Sequence, residues 1–170
     1  MQAQLLNERP ERTFAVTLET GDEVMACLER FAAEQHLTAA RLTAIGAFSD
    51  VTLGYFDWGR KQYTPHRFAE QLEVVSLIGD IALDGDRLKV HAHVVLGRHD
   101  CTTLGGHLLK AAVRPTLEVL IIDSPDYLRR EHDPESGLAL IRVLRKTSRP
   151  AGASQSTTPN DPAPAPAPAS

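Results

Sequence analysis

The sequence predicts one domain in which an amphipathic helix lies over a β-sheet, and three observations lead to this prediction. Apolar and polar residues alternate over residues 12–18, the pattern of a half-buried strand. Between Asp22 and His36 apolar residues recur at helical spacing, and Asp22 offers an N-cap. Asp84 and Gly85 form a dipeptide typical of tight β-hairpins. A chain of 170 residues suits a single domain of this kind.

The remaining elements follow in chain order, and most of them are strands. Strands are expected at residues 41–48, 51–58, 71–79, 87–96 and 116–123, with an edge strand near residues 142 and 143. A bend or bulge is expected at Gly46. Residues 97–106 are expected to form a loop, 107–112 a short helical or irregular segment, and 125–135 a short helix or loop.

Composition limits the classes of function. Apolar residues make up 42% of the chain and charged residues 24%, which is ordinary for a protein with a packed core. The net charge of −4 and the pI near 6.0 have the wrong sign for a domain that binds the DNA backbone through bulk electrostatics. Cys27 and Cys101 form no paired spacing, which indicates a reducing compartment. Without a signal-peptide pattern or a long apolar run, the protein is expected to be cytoplasmic and not to bind membranes.

The composition changes at residue 147. Residues 147–170 are rich in proline, alanine and serine and contain no aliphatic residue larger than alanine. Such a segment buries too little apolar surface to offset the entropy lost on ordering. We therefore predict a folded domain over residues 1–146, followed by a disordered tail with polyproline-II character.

Three histidines are the candidate metal ligands. His91 and His93 lie two residues apart in a predicted strand, so their imidazoles point to the same face. Gly105 and Gly106 allow a sharp turn that would bring in His107 from a loop. Three histidines with a free fourth position are the open, catalytic type of zinc site. The alternative is a pair of histidines on a polar strand face with no metal, and spacing alone leaves both interpretations open.

Carboxylates near such a site would act as a general base or would orient a histidine. Glu73, Asp80 and Glu118 are the candidates, and the pattern does not choose among them. The sequence contains no glycine-rich phosphate loop and no Gly-x-Ser-x-Gly motif. Catalytic residues therefore stay unassigned.

Six stretches of the sequence, taken in their order and spacing, carry a resemblance to a known family. They are residues 44–48, 53–57, 72–82, 91–97, 104–109 and 113–119. Together they resemble the PPC (plants and prokaryotes conserved) domain over residues 11–145. The resemblance implies an α+β fold with a curved, mostly antiparallel β-sheet, a packed helix and a homotrimer. It also implies a zinc ion held by the residues that match the family's histidines, which here are His91, His93 and His107.

The resemblance also raises DNA binding. In plants this domain follows AT-hook segments that enter the minor groove of A·T-rich DNA, and many bacterial members carry a DNA-binding label by analogy. An AT hook needs an Arg-Gly-Arg-Pro core. The sequence departs from this pattern, because Ser148-Arg149-Pro150 lacks the preceding arginine and glycine.

Three functions follow from the residues and the resemblance. The preferred one is a trimeric, zinc-binding PPC-like protein that acts as a DNA-binding or regulatory module. The second is a zinc-dependent hydrolase or lyase that acts on a small polar molecule in a cleft between subunits. The third is an oligomerisation or ligand-sensing module in which the metal and the trimer hold a partner-binding surface.

Overall fold

The computed structural model describes residues 12–124 and 128–143, which form eight β-strands and one α-helix. Their bounds are β1 Thr13–Glu19, α1 Val24–Glu34, β2 Ala39–Asp57, β3 Gln62–Phe68, β4 Leu72–Asp84, β5 Arg87–Gly97, β6 Thr103–Asp123, β7 Leu128–His132 and β8 Ala139–Val143. The tail predicted over residues 147–170 lies outside the described residues. Its disorder and the domain boundary at residue 146 stay predictions.

The strands form one mostly antiparallel sheet that curves until it closes on itself. The strand order is β3-β2-β6-β5-β4-β7-β8, with β1 paired to β6. Strand β2 also pairs with β4, so β2, β6, β5 and β4 form a closed ring. Among the described strands, only β4 and β7 pair in parallel. The predicted combination of a mostly antiparallel sheet with one helix is confirmed.

Helix α1 packs its apolar side against the inner face of the sheet. Val24, Leu28 and Ala32 repeat every four residues and are fully buried. Other fully buried side chains in this core are Phe48, Leu72, Leu77, Leu96, Leu108 and Leu117. The helix has 11 residues, and no helix in the described part of the chain is long and apolar enough to cross a membrane.

The start of α1 differs by one residue from the prediction. Glu23, rather than Asp22, is the N-cap, and its side chain accepts a hydrogen bond from the Ala26 N–H at 2.8 Å. Asp22 instead accepts from the Glu19 N–H at 2.9 Å. The second Glu23 oxygen accepts from the Ala111 N–H of β6 at 3.2 Å, which ties the start of the helix to the sheet.

Strand β2 unites two of the predicted strands. Residues 41–48 and 51–58 belong to one continuous strand of 19 residues, except that Trp58 lies just beyond its end. The irregularity expected at Gly46 is confirmed, because the pairing with β4 shifts register between Ala44 and Gly46. Gly46 has a φ of +149°, and a Cβ at this position would collide with the Thr116 carbonyl oxygen.

Strand β6 corrects the prediction for the segment after β5. It runs for 21 residues from Thr103. The loop expected at 97–106 is therefore only the short turn between Gly97 and Thr103, and the segment 107–112, expected to be helical or irregular, is part of the strand. Gly105 and Gly106 do not end the strand. Their role is instead to leave room for the backbone of the neighbouring strands. A Cβ on Gly106 would lie 3.3 Å from the Gly54 carbonyl oxygen of β2.

Two hairpins complete the sheet. The hairpin predicted at Asp84 is confirmed, since Asp84 pairs with Arg87 and Gly85 has a φ of +61°. The second hairpin joins β7 to β8, and its strands pair antiparallel. Residues 128–132 are therefore a strand rather than the expected short helix or loop, and the expected edge strand is β8.

Candidate metal centre

Strand alternation places His91 and His93 on the outer face of β5. The neighbouring residues Val90, Ala92 and Val94 point into the core and are buried, whereas both imidazoles keep access to solvent. The shared face predicted from the two-residue spacing is present in the structure.

His107 reaches the same face from a strand rather than from a loop. It lies directly opposite His93 in the β5–β6 pairing, and its other neighbour across the sheet is Gly54 of β2. Residues opposite one another on antiparallel strands share a face. The register of β6 is therefore sufficient to bring the third imidazole to the pair.

The three rings form a compact cluster. Their centroids are 5.2 Å apart for His91 and His93, 5.0 Å for His91 and His107, and 5.3 Å for His93 and His107. One nitrogen from each ring lies within 4.8 Å of the other two. A tetrahedral zinc ion with Zn–N bonds of about 2.0–2.1 Å holds its ligand nitrogens about 3.4 Å apart. Small side-chain rotations would therefore close the cluster on an ion.

Tyr63 of β3 packs against His107. The two rings are stacked, with centroids 4.5 Å apart and planes 20° apart. This packing needs a glycine at position 54, because a Cβ there would lie 2.8 Å from the Tyr63 Cδ1. Burial raises the pKa of Tyr63, and the charge of Arg130 only partly offsets this, so the phenol stays protonated at neutral pH.

Asp80 of β4 is the carboxylate that the fold brings to the cluster. Asp80 and His91 are directly paired across β4 and β5, and the Asp80 Oδ2 lies 3.5 Å from the His91 Nδ1. A carboxylate at one ring nitrogen fixes the orientation of the imidazole and leaves the other nitrogen for a metal. The other Asp80 oxygen accepts a hydrogen bond from Arg130 of β7. Arg130 also donates to the Ala139 carbonyl oxygen at 3.0 Å, and its side chain is only 5% exposed.

The charge of Asp80 is stabilised by these two contacts. Burial raises the pKa of Asp80, but the hydrogen bond with His91 and the charge of Arg130 outweigh that effect and leave the pKa below its usual value. The carboxylate is therefore ionised at neutral pH and balances the buried guanidinium.

The chemistry of the three donors fits a borderline metal such as zinc. Burial, followed by the proximity of His91 and His93, lowers the pKa of His107 to about 4. Burial and then His91 also lower the pKa of His93. Both rings are neutral at pH 7, so no proton has to leave before they bind a metal. The His107 Nδ1 is buried without a hydrogen-bond partner among the described residues, and a bound ion would satisfy such an atom.

The histidine cluster lines a cavity of about 330 Å³, called the metal cavity below. Tyr63 lines it from β3, and Leu138, Ala139 and Leu140 line it from the β7–β8 hairpin. The turns that flank these two elements are joined, because the Lys61 ammonium donates a hydrogen bond to the Glu135 carbonyl oxygen. The metal cavity is thus lined by β3 and the β7–β8 hairpin as well as by the central strands β5 and β6.

The other residues proposed from the sequence lie elsewhere. Glu73 pairs with Gly97, six residues beyond His91 on β5, and Glu118 is exposed in the part of β6 that pairs with β1. Tyr63 and Arg130 reach the site from strands that are distant in sequence, and neither residue was predicted to belong to it. No local pattern marks either residue, so only the sheet topology reveals them.

A closed, mostly antiparallel sheet with three histidines on its outer face defines a small β-rich domain with a candidate metal centre. The family model of the Plants and Prokaryotes Conserved (PCC) domain, also abbreviated PPC, matches residues 6–125. The chain therefore belongs to this family, and the resemblance found in the sequence is confirmed.

Solved structures agree with this assignment. The chain is similar to a PPC protein from Pyrococcus horikoshii, with 26% identity, a TM-score of 0.77, and coverage of 85% of this chain and 99% of that one. A metal-containing protein from Archaeoglobus fulgidus has 30% identity, a TM-score of 0.75, and coverage of 82% and 99%. A candidate DNA-binding protein from Bacteroides thetaiotaomicron has 27% identity, a TM-score of 0.75, and coverage of 82% and 100%. No curated protein matches the chain.

Proposed function

We propose that this chain binds zinc through His91, His93 and His107 and keeps one coordination position open toward the metal cavity for a small polar ligand. The observation that carries the proposal is the cluster itself, in which three ring nitrogens lie within 4.8 Å of one another at the edge of a cavity. Three histidines with an open position are typical of zinc sites that bind a ligand rather than only hold the fold.

Two further observations support the proposal. The Asp80 Oδ2 lies 3.5 Å from the His91 Nδ1, and a carboxylate at one ring nitrogen is the arrangement that orients metal-binding histidines. The relative from Archaeoglobus fulgidus is described as metal-containing. The identity of the ion as zinc rests on the all-nitrogen donor set, which suits borderline metals better than magnesium or calcium.

The test is the metal content of purified protein, measured by elemental analysis after zinc loading and desalting. We expect one zinc per chain in the wild type and in His99→Ala, a control in the exposed turn after β5. His91→Ala and His107→Ala should retain far less. Equal zinc content in all four proteins would contradict the proposal.

An open coordination position on the zinc is compatible with two functions. The site could bind a regulatory ligand, or it could catalyse a hydrolase or lyase reaction. When bound, zinc supplies a Lewis acid that polarises a ligand oxygen or lowers the pKa of water. The protonated Tyr63 can donate a hydrogen bond into the cavity. None of the described residues that line the cavity is an aspartate or glutamate, so a carboxylate base is lacking there. Ligand binding with a regulatory outcome is therefore the better supported of the two.

DNA binding is a second candidate, supported by the name of the Bacteroides thetaiotaomicron relative. The net charge of −4 opposes it, because backbone contacts by basic side chains supply most of the affinity for DNA. An A·T-rich duplex titrated at about 50 mM and about 200 mM salt tests the candidate, since phosphate contacts strengthen steeply at low salt. Absence of binding at the lower salt would remove it.

The homotrimer is proposed on the family resemblance and on a second surface, called the apolar groove below. This groove has a volume of about 500 Å³ and is lined by outward residues of β1, β2, β4 and β6. Its apolar side chains include Ile45, Val75, Ile78 and Leu120, which are 54–62% exposed. Large apolar side chains that are exposed next to one another mark contact surfaces, and a second copy of the chain is the occupant that the family implies.

Light scattering coupled to size exclusion tests the trimer. Leu120→Asp places a charge in the apolar groove and should yield monomers. Tyr55→Ser changes a residue that is 71% exposed and does not line the groove, so it should leave the assembly intact. A monomeric wild type would contradict the proposal.

A further inference from the structure

Apart from Tyr63, the described residues that line the metal cavity are either basic or apolar. The charged ones are Lys89 and Arg130, and no acidic residue joins them. The remaining residues are the three histidines, the tyrosine, Val90, Leu138, Ala139 and Leu140. With a divalent ion bound, the cavity would therefore have a positive potential next to an apolar surface, which favours an anion with an apolar part.

Lys89 is placed beside the metal position by the same alternation that pairs the histidines. It lies two residues before His91 on β5, so Lys89, His91 and His93 project from one face. Among the described residues its ammonium has one ion-pair partner, Asp84, at 3.7 Å, and the two side chains are 49% and 41% exposed. Ion pairs with this much exposure are weak. The ammonium can therefore turn toward a ligand at little cost.

Arg130 contributes in a different way. Its guanidinium donates to Asp80 and to the Ala139 carbonyl oxygen and is almost fully buried. These contacts use one N–H of each terminal nitrogen and hold the guanidinium in the protein, and its Nε is buried without a hydrogen-bond partner among the described residues. The neighbouring Asp80 also balances its charge. Lys89 is thus the cation that a ligand would meet.

We propose that the metal cavity binds a small monocarboxylate with a short apolar chain. One carboxylate oxygen would take the open position on the zinc, Lys89 would pair with the carboxylate, and the apolar chain would lie against Leu138 and Leu140 of the β7–β8 hairpin. The proposal rests on the proposed zinc site and adds the ligand class to it. Lys89 is its specificity-determining residue.

A carboxylate suits the cavity better than a phosphate does. Inorganic phosphate brings about two charges and four oxygens, each of which needs the metal or a donor once it leaves water. Beside the metal the cavity offers Lys89, the Tyr63 hydroxyl and Arg130, whose charge Asp80 already balances, and the hairpin residues are apolar. A single carboxylate can accept hydrogen bonds from these donors, and the hydrocarbon chain of the ligand can pack against the apolar residues.

The experiment is calorimetric titration of the full-length, zinc-loaded protein with butyrate, with the neutral butyramide and with inorganic phosphate. The variants are Lys89→Gln and a charge-matched control, Lys110→Gln, whose side chain is exposed and does not line the cavity. We expect butyrate to bind most tightly. Lys89→Gln should weaken butyrate about tenfold, as expected for the loss of a charge-assisted hydrogen bond. Lys110→Gln should have no effect.

Zinc content is measured on each sample first, so the two proposals fail separately. Protein that retains zinc but binds butyramide or phosphate as tightly as butyrate would overturn the ligand class and leave the zinc site standing. Equal butyrate affinity for Lys89→Gln and the wild type would overturn the role of Lys89. Protein that takes up no zinc would overturn both proposals.

Discussion

Two adjacent regions on one face of the sheet differ in their chemistry. At the metal cavity the outward residues of β5 are His91 and His93, and Asp80 of β4 lies directly opposite His91. Two residues away on β4, Ile78 is 62% exposed in the apolar groove, and Val95 on β5 is 42% exposed. The outward side chains thus change from polar to apolar between Asp80 and Ile78 on β4 and between His93 and Val95 on β5, which is two residues on each strand.

The difference lies in what covers each region. Strand β3 and the β7–β8 hairpin cover the metal cavity, where Tyr63 stacks on His107 and Arg130 pairs with Asp80. The apolar groove has no such cover from the described residues and leaves large side chains in water. One subunit thus supplies the whole polar cluster of the metal cavity, whereas the apolar groove leaves apolar side chains in water, as the proposed ion site and the proposed subunit contact require.

The largest expected effect is that of His107→Ala, which should weaken zinc binding in the metal cavity and leave the apolar groove unaffected. Loss of a direct ligand should raise the zinc dissociation constant by at least about 100-fold, above the 10–100-fold typical for loss of an outer partner. Competition with a chromophoric chelator measures this change. Light scattering on the same sample should give an unchanged mass. A simultaneous loss of zinc and of assembly would show that the two regions are not independent.

Asp80→Asn tests whether the Asp80 carboxylate orients His91 and balances the charge of Arg130. We expect zinc affinity to fall about 10–100-fold. The free energy of unfolding of the metal-free protein should fall by about 3 kcal/mol, because Arg130 would remain buried without its counter-charge. Urea unfolding measures this. Asp84→Asn, which removes only the exposed pair with Lys89, should change stability by less than about 1 kcal/mol. Comparable losses in the two variants would contradict the role of Asp80.

The pH dependence of the metal-free protein reports on His107, and His93, whose pKa is also lowered, contributes in the same direction. The pKa of His107 is about 4 in the folded state, against about 6.5 in an unfolded chain. The unfolded state therefore binds more protons between these values, and the free energy of unfolding should decline as pH falls from about 6.5 to 4. Asp80, whose folded pKa is lowered, adds stability that is lost only at still lower pH. Urea unfolding should show a flatter slope of stability against pH in His107→Asn and an unchanged slope in Tyr55→Ser, which adds no acidic or basic group and leaves the groove intact.

The smallest expected effect concerns the glycine beneath Tyr63. Gly54→Ala places a Cβ 2.8 Å from the Tyr63 ring, so the ring must shift off His107. Overpacking of this kind should reduce the free energy of unfolding by about 1–3 kcal/mol. Gly105→Ala on β6 is the matched control, because its nearest neighbour would be 3.4 Å away, an ordinary contact. Thermal unfolding of the two variants should therefore separate them, and equal midpoints would contradict the packing argument.

The fold was largely predictable because most strands carry clear local signals. The alternation over residues 12–18 and the Asp84-Gly85 dipeptide act over short distances, and both gave the right element. The continuous β6 was missed because Gly105 and Gly106 resemble strand breakers. In the folded chain they instead allow backbone from β5 and β2 to approach, which is a tertiary effect with no local signature.

The candidate site was only partly predictable for a related reason. The two-residue spacing of His91 and His93 is a local signal, and the structure has both on one face. The choice of Asp80 over Glu73 depends on the register between β4 and β5, which a single sequence does not reveal. Arg130 lies 50 residues beyond Asp80, so its contribution depends on where the β7–β8 hairpin docks.

The direct pairing of His93 with His107 has a practical consequence. Sliding β6 by one residue along β5 would turn His107 from the outer face into the core, since side chains alternate with a period of two. A misaligned sheet would therefore lack its third donor even though its composition is unchanged. On the proposed zinc site, zinc uptake by variants that keep the three histidines and Asp80 would therefore serve as a solution assay for native strand alignment.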